Sequence, residues 1–177
     1  MKTIIKLSTL IVLTFGQLYN ANGQDSLITK TFLAGQIQLS IPKSFKQLDD
    51  KSISEKFPNP NSRPSVFLID NKELSSLKII EMPQNVSDNE VGQYKSFHMT
   101  QMKKETNIKW LGDNYKKING KNVGIIKVIY TDRNTFAYFF FTSLKGKLLL
   151  LTFNCEETLW PTYEETAELI VNSLKVE

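Results

Sequence analysis

Hydrophobic and polar residues alternate along the first half of the chain. In residues 36–41, isoleucine and leucine alternate with glutamine and serine, which predicts a strand with one buried and one solvated face. Residues 31–33 precede it across Ala34-Gly35, so the two segments are predicted to form a hairpin that ends at Pro42. Residues 66–69 and 77–82 predict two more strands, after a proline-rich loop at residues 58–64.

The second half of the chain has a different pattern. The short extended segment 109–111 is followed by three long segments, 123–130, 136–142 and 148–153, which are almost continuously apolar and joined by tight-turn sequences. They predict an antiparallel meander. Because alternation is largely lost in these strands, both faces of the sheet are expected to be covered.

Three segments have helical spacing. Residues 50–57 predict one or two turns, and Ser87 with Glu90 predicts a capping box that starts a helix reaching about residue 106. Its apolar stripe consists of Val91, Tyr94, His98 and Met102, with Phe97 at the edge. The last helix has a stripe of Trp160, Tyr163, Ala167, Ile170, Val171 and Leu174, with Glu164, Glu165 and Glu168 predicted on the solvent side.

These elements together predict an α+β fold. An antiparallel sheet lies between helices, and residues 24–177 form a single domain. The chain has 177 residues, of which 41% are hydrophobic and 23% charged, which is an ordinary globular composition.

The first 23 residues have the pattern of a secretory signal peptide. Lys2 and Lys6 precede an apolar run at residues 7–15, and Ala21 and Gly23 occupy the −3 and −1 positions of a cleavage site before Gln24. The apolar run is about half the length that spans a bilayer. We therefore expect an exported protein, periplasmic or secreted, whose mature chain has no membrane span.

Charge changes the picture only slightly. Loss of Lys2 and Lys6 with the signal peptide lowers the formal net charge from +4 to +2, which does not suggest a nucleic-acid-binding protein. Seven lysines lie in residues 95–121 and six glutamates in residues 156–177. Two solvated faces are the simpler interpretation, and a polarised surface that steers a partner is the other.

Few residues offer chemistry. The single cysteine cannot form an internal disulfide, and the single histidine cannot build a multi-histidine metal site. Cys155 and His98 are the one thiol–imidazole pair, but Cys155 shares a strand face with Phe153 and is predicted to be a buried structural residue. Glu156 and Glu157, with Glu164 and Glu165, offer the paired carboxylates of a glycosidase, although adjacent acids at the start of a helix are usually solvated. No catalytic, cofactor-binding or metal-binding residue is predicted.

The order of elements resembles the PsbP-like superfamily, which includes the extrinsic photosystem II protein, the yeast Ran-binding nuclear import factor and the bacterial DcrB-like proteins. The resemblance rests on the strand at residues 37–42 with Phe45, the Phe57-Pro58 turn, the mid-chain helix, the meander and a final helix ending at residues 172–174. It implies an antiparallel sheet between helices. Members mostly bind other proteins or act as assembly factors, and no functional residue carries over to this sequence.

The resulting expectation is an exported, non-enzymatic module of the cell envelope that binds another envelope or secreted protein, or acts in assembly, without a cofactor. Two alternatives remain. One is a carrier of a small apolar ligand, held between the last helix and the aromatic residues of the meander. The other is a hydrolase that uses Glu156, Glu157 or Cys155.

Overall fold

The structure is a computed structural model that describes residues 26–177. The predicted signal peptide and its cleavage site lie outside the described residues. No helix within residues 26–177 is both long enough and apolar enough to cross a membrane.

An antiparallel sheet of seven strands forms the centre of the fold, in the order β3-β4-β5-β9-β8-β7-β6. Its strands are β3 (Lys46–Gln47), β4 (Val66–Ile69), β5 (Ser75–Asn85), β6 (Ile108–Ile118), β7 (Lys121–Tyr130), β8 (Thr135–Leu144) and β9 (Lys147–Glu156). A second antiparallel sheet contains β1 (Leu27–Phe32), β2 (Ile37–Pro42) and β10 (Lys175–Val176). The helices are α1 (Asp50–Lys56), α2 (Val91–Met102) and α3 (Trp160–Asn172).

The predicted meander is present, and it has four strands. Asn119 and Gly120 turn the chain between β6 and β7 with φ values of 47° and 88°, a backbone conformation that asparagine and glycine tolerate best. β6 covers 11 residues instead of the three that the pattern predicted. Residues 112–117 are mostly polar because β6 is an edge strand that pairs on one side only, with β7, so hydrophobicity did not reveal them.

One face of the seven-stranded sheet is closed by α3 and by the three-stranded sheet. Ala167, Ile170 and Val171 of α3 are fully buried there, as is Leu39 of β2. The predicted α+β fold, with an antiparallel sheet between helices, is confirmed. The sequence did not predict that the β1–β2 hairpin pairs with β10 in a sheet of its own, which contributes to this cover.

The opposite face carries α2, which packs across β7 and β8. Val91 and Met102 of its predicted stripe are buried, Tyr94 and His98 are half-buried, and Phe97 at the edge is 62% exposed. The predicted cap is present, because the Ser87 N–H donates to Glu90 Oε2 at 2.8 Å. The helix ends at Met102, four residues before the predicted end.

Close backbone approach and one ion pair hold α2 on the sheet. A Cβ added at Gly124 of β7 would lie 2.8 Å from the Phe141 ring and 3.0 Å from Cβ of Lys95, so glycine is required for this packing. Lys95 is buried and forms an ion pair with Asp113 of β6. Since α2 lies over β7 and β8, part of the same face over β5 and β9 remains uncovered.

Candidate functional site

The uncovered region lies between α1 and α2. Pairing in the sheet places Ile80 of β5 opposite Leu150 of β9, and Thr152 of β9 opposite Phe139 of β8. Ile80, Leu150 and Phe139 are all half-buried, unlike their neighbours on the α3 side. We call this region, with the two cavities at its margins described below, the open face.

The first cavity lies beside α1 and has a volume of about 240 Å³. Three cationic side chains line it, together with three aromatic rings and three small polar residues. They are Lys56, Lys78 and Arg133; Phe57, Phe67 and Tyr130; and Ser76, Thr135 and Asn154.

Each cation in this cavity lies against one of the rings. Lys78 Nζ is 5.0 Å from the centroid of Phe57, and Lys56 Nζ is 5.9 Å from that of Phe67. The Arg133 guanidinium carbon is 4.2 Å from the Tyr130 centroid. These are cation–π distances, so the rings orient the charges. Burial lowers the pKa of Lys78, and the neighbouring charges of Arg133 and Lys56 lower it further.

The end of α1, the loop that follows it and the turn between β7 and β8 position the side chains of the first cavity. Asp49 caps α1 by accepting from the Ser52 N–H at 2.8 Å. Phe57 follows the last residue of α1, and its ring meets Phe67 edge-on at 5.1 Å. Arg63 Nε donates to the Phe57 carbonyl at 3.1 Å and fixes the loop that follows. Arg133 comes from the tight turn between β7 and β8.

The second cavity lies beside α2 and has a volume of about 320 Å³. Its apolar lining comes from Met102, Ile108 and Phe139, and Tyr130 lines it as well as the first cavity. His98 stands at its wall with its ring 5.7 Å from that of Tyr94, and burial lowers the pKa of this imidazole. The remaining lining residues are Gln101, Glu105 and Asn107.

The thiol–imidazole pair suggested by the sequence does not form. Cys155 is buried on the α3 side of the sheet, within the core that contains Phe136 and Phe153. His98 belongs to α2, on the opposite face. Burial, with a smaller contribution from the charge of Glu156, raises the pKa of Cys155 to about 12, so the thiol stays protonated at neutral pH.

The glutamates of the C-terminal segment do not all lie where the sequence placed them. Glu164 and Glu168 were predicted on the solvent side of α3, but Lys127 of β7 reaches them at 2.9 and 3.8 Å. Glu168 also accepts a hydrogen bond from the Tyr138 hydroxyl at 2.8 Å. Among Glu164, Glu165 and Glu168, only Glu165 is exposed. The spacing of residues within α3 could not reveal these ion pairs, because Lys116 and Lys127 lie on strands of the adjacent sheet.

Glu156 and Glu157, the other two candidate acids, form no cluster with Glu164 and Glu168. Glu156 is exposed, and Glu157 pairs with Lys109 at 3.8 Å. The basic and acidic segments therefore partly neutralise one another across the side of the sheet that carries α3. Among residues 26–177, no group of three or more histidine, cysteine, aspartate or glutamate side chains is arranged to hold a metal ion.

Aromatic side chains of α3 pack against those of the sheet in the region where the sequence allowed an apolar ligand. The Trp160 ring lies 4.1 Å from that of Phe136, and Tyr163 lies 6.1 Å from Phe153. The two cavities described above are both on the other face. Of these two regions, the open face is the one that contains the two cavities.

Sequence reasoning did not single out the cations of the open face. A signal for Lys78 was present, because it stands between Leu77 and Ile79 in an apolar strand and must point to the opposite face from both. Arg133 is one of only two arginines in the chain, the other being Arg63. Nothing local connects either residue with Lys56, since α1, β5 and the β7–β8 turn meet only in the folded chain.

Comparison with known proteins identifies the fold. No family model matches the sequence, and no curated protein matches it either. The solution structure of cyanobacterial PsbP from Synechocystis superposes with a TM-score of 0.57 at 15% identity, covering 89% of this chain and 96% of that one. A crystal structure from Bacteroides thetaiotaomicron gives 0.51 at 9% identity, covering 87% of this chain and 49% of that one.

A third similar structure is LpqN, described as involved in cell envelope biogenesis of Mycobacterium tuberculosis. Its TM-score is 0.48 at 12% identity, covering 85% of this chain and 91% of that one. The resemblance inferred from the order of elements is confirmed at the level of fold. The protein has a PsbP-like fold.

Proposed function

We propose that this protein is an exported, non-enzymatic binding module of the cell envelope, which holds a segment of a partner protein on its open face. The observation that carries the proposal is the difference in cover between the two faces of one sheet. The α3 face is closed, whereas Ile80, Leu150 and Phe139 are only partly buried between α1 and α2.

The composition of the open face supports binding. Aromatic residues and arginine are the side chains that contribute most at protein interfaces, and Phe139, Tyr130 and Arg133 lie together there. Both cavities are open to solvent rather than enclosed. This shape suits an extended segment better than a small molecule that must be enclosed to lose most of its hydration.

The export part of the proposal rests on residues 1–23. Their charged start, short apolar run and small residues before Gln24 are the pattern of a cleaved signal peptide. An intact mass that begins at Gln24, from protein recovered outside the cytoplasm, is the expected result. A full-length chain retained in the cytoplasm would contradict it.

Photo-crosslinking tests the binding surface. A photoreactive phenylalanine replaces Phe139 on the open face in one variant and Leu169, an exposed α3 residue, in the other. We expect a partner to be crosslinked through position 139 only. After identification by mass spectrometry, the purified partner should bind the wild-type protein and the Leu169→Glu variant equally, and Phe139→Glu more weakly.

Two outcomes contradict the proposal. Equal crosslinking from both positions would show that the open face is not selective. A small molecule retained by the purified protein in native mass spectrometry, and lost in Phe139→Glu, would favour the ligand carrier instead.

A further inference from the structure

The first cavity is lined by three cations and by no carboxylate. None of the nine residues that line this cavity is acidic. Within residues 26–177, Lys56 and Lys78 form no ion pair, and Arg133 is near only Asp132, its chain neighbour, at 3.6 Å. Lysines on the other face differ, because Lys109 and Lys127 both face glutamates.

The clustering of three cations destabilises the folded chain unless another group compensates for their repulsion. Like charges held close together repel, and a half-buried ammonium loses part of its hydration. The lowered pKa of Lys78 has both causes. The rings of Phe57, Phe67 and Tyr130 compensate in part, because their faces attract cations. They carry no net charge, so the cavity keeps a positive potential that an anion would relieve.

We propose that Lys56, Lys78 and Arg133 bind a carboxylate side chain of the partner segment, so that the segment carries an aspartate or glutamate. The inference rests on the proposed function for the source of the carboxylate. The Arg133 guanidinium can hold a carboxylate with two parallel hydrogen bonds, while the two ammonium groups act as point charges.

A polypeptide is the source that the geometry favours. The first cavity adjoins the second through Tyr130, and the second is lined by Met102, Ile108 and Phe139. In an extended segment, side chains two residues apart point to the same side and are separated by roughly 6.5–7 Å. Because Tyr130 lines both cavities, an extended segment that places an acidic side chain in the first cavity has the apolar lining of the second beside it.

Selection from a random peptide display library tests this without knowledge of the natural partner. The full exported chain is used as bait in wild-type form and as Lys78→Met/Arg133→Gln. Lys145→Gln/Lys147→Gln is the matched control, because it removes the same charge at the turn between β8 and β9, at the other end of the strand from Asn154. Circular dichroism and thermal melting confirm that each variant is folded.

We expect peptides selected by the wild type and the control to be enriched in aspartate or glutamate next to apolar residues, and those selected by Lys78→Met/Arg133→Gln to lack this enrichment. One selected peptide is then synthesised with glutamate and with glutamine at the acidic position. The glutamine form should bind the wild type about tenfold more weakly or worse, as for loss of a charge-assisted hydrogen bond. This comparison needs no protein variant.

The remaining outcomes overturn the inference in distinguishable ways. Selected peptides without excess acidic residues, or equal binding of the glutamate and glutamine forms, would refute the carboxylate site and leave the binding surface intact. Failure to select any peptide would refute the proposed function as well. Binding to phosphatidylglycerol vesicles, lost in Lys78→Met/Arg133→Gln and kept in the control, with no acidic peptides selected, would assign the site to a lipid headgroup.

Discussion

Two adjacent phenylalanines of β8 show how differently the two faces of the sheet are used. Phe140 points toward α3 and is fully buried, with its ring 6.3 Å from that of Tyr138. Phe139 points to the open face and is half-buried, with its ring 6.5 Å from that of Tyr130. Their hydrophobicity is identical, so the difference lies in what the rest of the chain places over each face.

The cover of each face differs in extent and in chemistry. On the α3 side, a helix and a second sheet bury an apolar core, and Lys127 pairs with Glu164 and Glu168 at its margin. On the α2 side, a single helix covers part of the sheet. Among the cations beside the uncovered part, Lys56 and Lys78 form no ion pair within residues 26–177, and Arg133 pairs only with its chain neighbour Asp132. The first arrangement stabilises the fold, whereas the second leaves part of the apolar surface accessible to solvent.

The largest effect is expected from truncating the two phenylalanines separately. Phe140→Ala should lower the free energy of unfolding by about 3–5 kcal/mol, because it leaves a cavity in a closed core. Phe139→Ala should cost about 1 kcal/mol, since a half-buried ring contributes only part of its transfer free energy. Urea denaturation followed by circular dichroism measures both. Equal losses would mean that the two faces are equally packed.

A smaller effect is expected where α2 approaches the sheet. Gly124→Ala should lower the free energy of unfolding by about 1–3 kcal/mol, because the added methyl group overlaps the Phe141 ring. Phe141→Leu in the same chain should restore part of the loss by removing the ring. If Gly124→Ala is neutral, α2 is loosely held and the open face extends beneath it.

A still smaller effect is expected from pH, through His98. Burial lowers the pKa of this imidazole from 6.5, so the unfolded chain binds its proton more readily than the folded chain. The contribution of neutral His98 to the free energy of unfolding is therefore complete above about pH 6.5. It is lost as the pH falls from there through the lower pKa of the folded chain. Thermal melts from pH 7.5 to 5 should show a steeper loss for the wild type than for His98→Phe. Parallel profiles would show that His98 is solvated in the folded chain.

The sequence predicts those features of the fold that depend on a few consecutive residues. The cap at Ser87, the turn at residues 119–120 and the burial of Cys155 each follow from a few consecutive residues, and all three are present in the structure. The α+β arrangement also follows, because apolar runs and helical stripes are properties of single segments.

Features that depend on distant segments were missed. The role of β10 as third strand of the small sheet cannot be inferred from two residues, since their pairing with β2 depends on where α3 ends. The partial cover of the open face depends on how far α2 reaches across the sheet. The cation cavity is formed by three elements far apart in the sequence, so no spacing rule could assemble it.

The smallest effect, and the sharpest test of the difference between the faces, concerns Lys78. Lys78→Met removes a half-buried ammonium that burial and two like charges disfavour, but it also removes the attraction between that charge and Phe57. The two contributions oppose each other, so the free energy of unfolding should change by less than about 0.5 kcal/mol. Because salt screens repulsion between charges, any stabilisation should be larger in 20 mM than in 500 mM salt. Lys127→Met on the α3 face is the matched comparison. It should destabilise the fold because Glu164 loses its cationic partner and Glu168 keeps only Lys116. If Lys78→Met instead costs as much as Lys127→Met, Lys78 is part of the packed structure, and the open face is not kept cationic for a ligand.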